Sequence, residues 1–217
     1  MARPIVIAHH LILTAYGWWL PTDPRGSCSR TVGINVIAEL GELHQGRRRV
    51  QPPSGAIREF YTRAEDVLSF GLEEFNTAAI REIAVGFGEA ISEYRYTYYG
   101  CAIMPDHVHL VIRKHKDKAE QMIENFQESC RLRLSASGLR PSGHPVWARS
   151  GWRVFLDHPD DISRTIRYVN NNPRQRRMPE QEWGFVSEYD GWPLHEGHNP
   201  NSPYARRLKG DARDRRG

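Results

Sequence analysis

The spacing of apolar and polar positions divides this chain into a short series of elements. Pro4 to Tyr16 is rich in Ile, Val, Leu and Thr and predicts a buried first strand. Its His9 and His10 must face opposite sides, and each is expected to be an ordinary histidine near a sheet surface. Ala78 to Tyr94, behind a cap at Asn76-Thr77, carries Ile80, Ile83, Phe87 and Ile91 at helical spacing. Gly86 and Gly88 on that helix imply close packing against a sheet. Arg95 to Ile103 is aromatic and strand-like, and a Pro105-Asp106 turn joins it to a second strand over His107–Arg113. Ala119 to Ser137 is the next helix, with Met122, Phe126, Cys130 and Leu134 at i, i+4 steps and Gly138 ending it. Val146 to Arg149 and Trp152 to Leu156 predict a small hairpin turning at Ser150-Gly151.

Asp157 to Asp161 opens a last helix, with Pro159 near its first position and acids in its first turn. Ile162, Ile166 and Val169 form its buried stripe. Tyr168 lies about 100° from Val169 and about 200° from Ile166 around the axis, so it projects away from the core. Beyond Pro173, the Trp183–Trp192 segment is expected to pack back on the domain, and Asn199 to Gly217 to form a frayed basic tail.

The order strand, helix, hairpin, helix, strand is that of a ferredoxin-like fold, an α+β architecture with an antiparallel sheet and helices on one face. One domain over residues 1–195 is expected, followed by the tail at 196–217. Residues 17 to about 58 stand out as an insertion between the first strand and the first main helix. Pro21, Pro24 and Gly26 break regular structure there, Val36 to Leu43 suits a short helix, and Gln51 to Gly55 reads as a break. Thr62 to Leu72 suits another short helix. Trp18-Trp19 beside Arg25 have two readings, stacking on exposed bases or capping the core.

Composition narrows the class. The 217 residues are 39% hydrophobic and 26% charged, as in a soluble globular protein. A formal charge of +4 and a pI near 9.1 are mildly basic, with arginines grouped at 47–49, 174–177 and 206–216. That suits a polyanionic partner without requiring one. Cys28, Cys101 and Cys130 lack the spacing of a disulfide framework or a zinc knuckle. No apolar run is long enough to span a membrane, and the opening strand lacks a signal-peptide cleavage site, so a cytoplasmic protein is expected.

The candidate chemistry lies in two stretches. In Met104-Pro-Asp-His-Val-His-Leu110, His107 and His109 share one face of a strand, roughly 7 Å apart, where they can converge on one divalent ion. The second stretch is Ile166-Arg-Tyr-Val-Asn-Asn-Asn-Pro173. Together and in this order they resemble the signatures of the HUH-type single-tyrosine (Y1) transposases, the IS200-like group, and within it the REP-associated tyrosine transposases. The resemblance covers roughly Tyr94 to Arg177 and adds an RRM-like core with the two-histidine strand at its centre and the tyrosine helix appended.

That resemblance implies single-stranded or hairpin DNA as partner and Tyr168 as nucleophile. It implies His107 and His109 as metal ligands, with Asn172 as the third. Asn172 precedes Pro173, which disfavours helical geometry there, so Asn171 is a possible substitute. Imidazoles plus an amide oxygen with open water positions suit Mg²⁺ or Mn²⁺. Arg113, Lys114, Arg149, Arg153 and Arg174 are candidate phosphate contacts, and Asp106 reads as a turn former. Relatives act as monomers or homodimers, and the sequence favours neither. A non-cleaving DNA- or RNA-binding regulator and a phosphodiesterase using water remain alternatives.

Overall fold

A computed structural model describes residues 5–27, 29, 35–149, 151–194, 198–206 and 209. In chain order the elements are β1 (Ala8–Thr14), α1 (Asn35–Ala38), α2 (Ser54–Val67), α3 (Thr77–Tyr94), β2 (Tyr98–Ile103), β3 (His107–Arg113), α4 (Ala119–Ala136), β4 (Trp152–Leu156) and α5 (Pro159–Gln175). The strands form one four-stranded sheet in the order β2-β3-β1-β4, antiparallel throughout. This is the ferredoxin-like arrangement, with β1 and β3 in the middle.

Alternation along β1 and β3 gives the sheet two different faces. Leu11, Leu13, Val108, Leu110 and Ile112 point to one side and pack with Ile83 and Phe87 of α3 and with Met122, Phe126, Cys130 and Leu134 of α4. The i, i+4 stripe of α4 is completely buried, as its spacing predicts. α3 begins where the cap is expected, with Asn76 Oδ1 accepting from the Ala79 amide at 2.9 Å. Gly86 does pack closely, but against α4 rather than the sheet: a Cβ there would stand 3.0 Å from Cys130 Cα. The opposite face carries Ala8, Ala102, Val111 and Leu156, covered by Ile162 and Val169 of α5. Burying each of those two side chains contributes about 1.5–3 kcal/mol and fixes α5 across the sheet. The two crossover helices therefore share one face, and the appended helix has the other.

Several expectations are corrected. Residues 146–156 are not a hairpin. Trp147 pairs with Ala15, and β4 pairs with β1, so both pieces lie along the same edge of one strand. The Ser-Gly signal is local, whereas β1 offers a whole row of unpaired backbone groups. Ser150 itself lies outside the described residues. α2 starts at Ser54 rather than Thr62 and stops at Val67 rather than Leu72. The prolines read as a break are the entry to this helix, since proline is tolerated where the first amides lack partners anyway. The α1 turn is confined to Asn35–Ala38, shorter than the helix expected over 36–43.

The inserted region has a small core of its own. Leu20, Ile37 and Leu40 pack on Phe60, Tyr61 and Ala64 of α2. At its centre Arg25 Nη2 donates to the buried Asp23 carboxylate at 2.8 Å, and the Tyr61 hydroxyl donates to the same group. Trp18 caps the core, its Nε1 donating to the Glu73 carbonyl at 2.8 Å. The face of Trp19 is covered by the Arg25 guanidinium at 3.8 Å. Of the two readings of this pair, core capping describes Trp18, while Trp19 stays partly exposed beneath Arg25.

After α5 the chain returns to the sheet: the Ser187 amide donates to the Tyr98 carbonyl at 2.8 Å, and Trp183 and Phe185 pack on the main core. The start of the supposed tail is also packed, with Ala205 buried and Tyr204 against Trp192. Apart from residue 209, the chain beyond Arg206, with its basic cluster, lies outside the described residues, as does Cys28. Among the described residues no helix is long and apolar enough to cross a membrane.

Candidate active site

The register of the two central strands decides what gathers on the α5 face. Thr14 pairs with His107, Ile12 with His109 and His10 with Val111. Paired residues share a face, so His107, His109 and His10 all project toward α5. His9, one residue away, goes to the other side, where its ring meets Phe155 edge-on.

The histidines form a chain of close contacts. His107 Nε2 lies 3.1 Å from His109 Nε2, and His109 Nδ1 lies 3.0 Å from His10 Nε2. At the other end His107 Nδ1 meets Asp106 Oδ1 at 2.7 Å, and Asp106 Oδ2 meets Arg176 Nη2 at 3.3 Å. Asp106 is thus more than a turn former. It is buried, and although burial alone would raise its pKa, the hydrogen bond and charge of His107, with Arg176 beside them, hold it below the usual carboxylate range. Burial pushes the His10 pKa down to about 4. Burial, and after it the repulsion that a proton on His109 would meet from a protonated His107 or His10, drives His109 well below the ordinary histidine value. Both rings are neutral at pH 7 and able to act as ligands.

Tyr168 stands over this cluster. Its ring centroid is 5.5 Å from that of His109 and 6.1 Å from that of His10, both edge-on. It is 48% exposed, so the ring touches the buried histidines while the side chain remains open to solvent. α5 holds it there through Ile162 and Val169 on the neighbouring stripe. The chain is similar to one solved transposase and one candidate transposase.

One is a REP-associated tyrosine transposase bound to a REP hairpin, with a TM-score of 0.43 and 11% identity over 89% of this chain and 78% of that one. The other is a candidate transposase from Deinococcus radiodurans R1, with a TM-score of 0.35 and 11% identity over 79% of this chain and 94% of that one. No family model and no curated protein sequence matches. What the site can do therefore follows from its own residues.

Asn172 and Asn171 are separated by the helix geometry. Asn172 is buried against the sheet, and its Nδ2 donates to the Tyr168 carbonyl one turn back at 2.9 Å. Its Oδ1 has no hydrogen-bond partner among the described residues. Asn171 is exposed. Pro173 does not end the helix before Asn172, because α5 runs on to Gln175. Proline disfavours helical geometry in the residue before it without forbidding it, and here the buried stripe of α5 holds that turn in place.

The donor set fits a small divalent cation. Two nitrogens about 2.1 Å from an ion at a right angle, as in octahedral coordination, sit about 3.0 Å apart. A tetrahedral site would place them about 3.4 Å apart. At 3.1 Å apart, His107 Nε2 and His109 Nε2 are near enough to bind one ion together. Among the described residues no group of three His, Cys, Asp or Glu meets as a metal site, so further ligands would be the Asn172 amide oxygen, water or substrate.

The five basic candidates are not brought together. Arg174 is exposed on the last turn of α5, and Arg149 is exposed between Trp147 and β4. Arg153 lies in register with Leu11, on the opposite face, and pairs with Glu120 of α4 at 3.1 Å. Arg113 and Lys114 lie at the far end of β3, roughly 20 Å from His107. There they line an open groove of about 580 Å³ with His115, Lys116, Trp192 and Tyr204. The Arg113 guanidinium sits 4.7 Å over the Trp192 ring.

Reading the chain in one dimension missed His10, Asp106 and Arg176. Alternation alone shows that His9 and His10 diverge. Only the pairing of β1 with β3, in this register, says which of them joins His109.

Proposed function

We propose that this protein is a single-tyrosine HUH-type transposase or nickase that cuts and rejoins single-stranded DNA. The observation that carries the reading is the convergence of His107 Nε2 and His109 Nε2 beneath the accessible ring of Tyr168. A phenol in water ionises near pH 10 and is a weak nucleophile, so attack on a phosphodiester needs the charge on phosphorus and its oxygens offset. A divalent ion held by His107, His109 and the Asn172 amide oxygen would supply that, by polarising the scissile phosphate.

The chain's own residues do the rest. α5 presents Tyr168 at the mouth of the cluster, and burial keeps His109 and His10 neutral. The Tyr168 oxygen bonds to phosphorus while the bond from phosphorus to the 3′ oxygen breaks. The phenolic proton passes to solvent, and the departing oxygen takes one up as a free 3′-OH. The 5′ phosphate stays on Tyr168 as an ester, whose retained energy allows the reverse step to join strands. Unpaired DNA beside a hairpin is the substrate class the motifs imply, and Mg²⁺ or Mn²⁺ the ion.

The test is covalent trapping. Full-length protein is incubated with end-labelled hairpin and single-stranded DNA libraries and Mn²⁺, beside Tyr168→Phe and His107→Ala, and run under denaturing conditions. A metal-dependent adduct absent from both variants is the expected result. Cleavage surviving in Tyr168→Phe would replace this reading with hydrolysis by water. Binding to DNA without cleavage would replace it with a regulator that only binds.

A further inference from the structure

The two convergent histidines are held from behind by different partners, and the difference has a chemical meaning. His107 Nδ1 faces a carboxylate oxygen of Asp106, which can only accept. That fixes the proton of neutral His107 on Nδ1 and leaves its Nε2 bare. His109 Nδ1 faces His10 Nε2 instead, and a neutral imidazole nitrogen can be either donor or acceptor. Were His109 also held by a carboxylate, both Nε2 lone pairs would point at each other across 3.1 Å whenever no cation lay near them. Two acceptors facing each other at that distance in a buried site leave both unsatisfied, which is unfavourable.

We propose that His10 is a positioning residue for His109 whose ring exchanges between donor and acceptor, so that His109 can present either tautomer to His107. The inference rests on the reading of His107 and His109 as a cation site. Without a cation, protons run in one direction along the chain: His10 Nε2–H to His109 Nδ1, His109 Nε2–H to His107 Nε2, His107 Nδ1–H to Asp106. Every facing pair is then one donor and one acceptor. With a cation on both Nε2 atoms, His109 carries its proton on Nδ1 and donates to His10 Nε2, and His10 carries its own on Nδ1. His109 and His10 each lose one proton and gain one while His107 keeps its own, so no charge changes. His10 is 7% exposed, and its Nδ1 is not among the sealed, unpartnered nitrogens of the described residues, so solvent can supply and remove that proton.

The arrangement gives His10 a requirement beyond filling space. Leucine fills the position but offers His109 Nδ1 nothing. Glutamine offers an amide oxygen and an amide N–H near the position of Nε2, and so serves both states.

The experiment follows the ring nitrogens of the full-length protein by ¹⁵N NMR, with and without Mg²⁺. Metal-free protein is expected to show His109 protonated on Nε2 and His107 on Nδ1, and Mg²⁺ to move the His109 proton to Nδ1. Mn²⁺ affinity is read in parallel by electron paramagnetic resonance. His10→Leu is expected to weaken Mn²⁺ binding about 10–100-fold, as loss of a partner behind a metal ligand does elsewhere. His10→Gln should stay within a few-fold of the parent. A metal-free His109 already protonated on Nδ1 would overturn the proposal, and so would His10→Leu binding Mn²⁺ like the parent. If the metal-free tautomers are as stated but the parent binds neither ion, the cation reading falls, and with it the exchange proposed for His10.

Discussion

Arg176, the C-cap of α5 one turn beyond Asn172, reaches Asp106 Oδ2 at 3.3 Å while the other oxygen of that carboxylate holds His107 Nδ1. The helix that carries the tyrosine and the strand that carries the histidines are thereby tied through one carboxylate. Asp106→Asn removes the anion that fixes the His107 tautomer and is expected to lower Mn²⁺ affinity about 10-fold or more. Arg176→Ala, whose side chain is largely exposed, should lower it much less. Titrations monitored by electron paramagnetic resonance distinguish the two, and equal losses would place the anchoring in the ion pair rather than in the His107 bond.

Asn171 and Asn172 differ by 100° around α5, and only Asn172 is buried toward the sheet. Asn172→Ala should reduce Mn²⁺ affinity and DNA cleavage together. Asn171→Ala should leave both near the parent's values. The reverse pattern in the same titration would move the amide ligand to Asn171.

Two glycines of α3 should respond to alanine with opposite signs. At Gly86 the new Cβ would stand 3.0 Å from Cys130 Cα and 3.2 Å from its amide nitrogen, both backbone atoms of α4. Overpacking of this kind costs about 1–3 kcal/mol, more than the gain in helix propensity of about 1 kcal/mol. At Gly88 the nearest atom is Phe185 Cδ1 at 3.7 Å, an ordinary contact. Gly88→Ala should therefore stabilise by about 0.5–1 kcal/mol. Urea midpoints of the two variants on either side of the parent's are the expected result.

His9 predicts an acid-sensitive window. Burial, then the nearby Lys114 charge, holds its pKa down at about 4, and neither ring nitrogen has a partner among the described residues. Between pH 6.5 and about 4 the unfolded chain binds this proton and the folded chain does not. Stability therefore falls as pH drops through that window, by up to about 3 kcal/mol from this residue. His9→Leu should lose that much less between about pH 7 and pH 4.5 in urea unfolding. An unchanged acid loss would assign it to other groups, His10 and His109 first.

Much of the scaffold was legible in the chain because local cues and burial agree there. The α4 stripe, the Asn76 cap, the Pro105-Asp106 turn and the start of α5 are each specified within a few residues. The edge strand was misread because Ser150-Gly151 is a local turn signal, whereas the partner of residues 146–156 is β1, more than 130 positions earlier in the sequence. The start of α2 was misread because Pro52-Pro53 serves a break and a helix entry equally well. At the site, the spacing of His107, His109, Tyr168 and Asn172 lies within two elements. His10 and Arg176 join it only through tertiary geometry, which no periodicity encodes.

The 99 residues separating His10 from His109 bear on how the protein comes into existence. The segment from α3 to α4 is built from near neighbours in the chain and can gather early. β1 has to find the open side of β3 across a long loop, a slow kind of step because its entropy cost is met before any contact is made. The histidine cluster is completed only at that step. Partly folded molecules lacking β1 would hold His107 and His109 without the ring behind them.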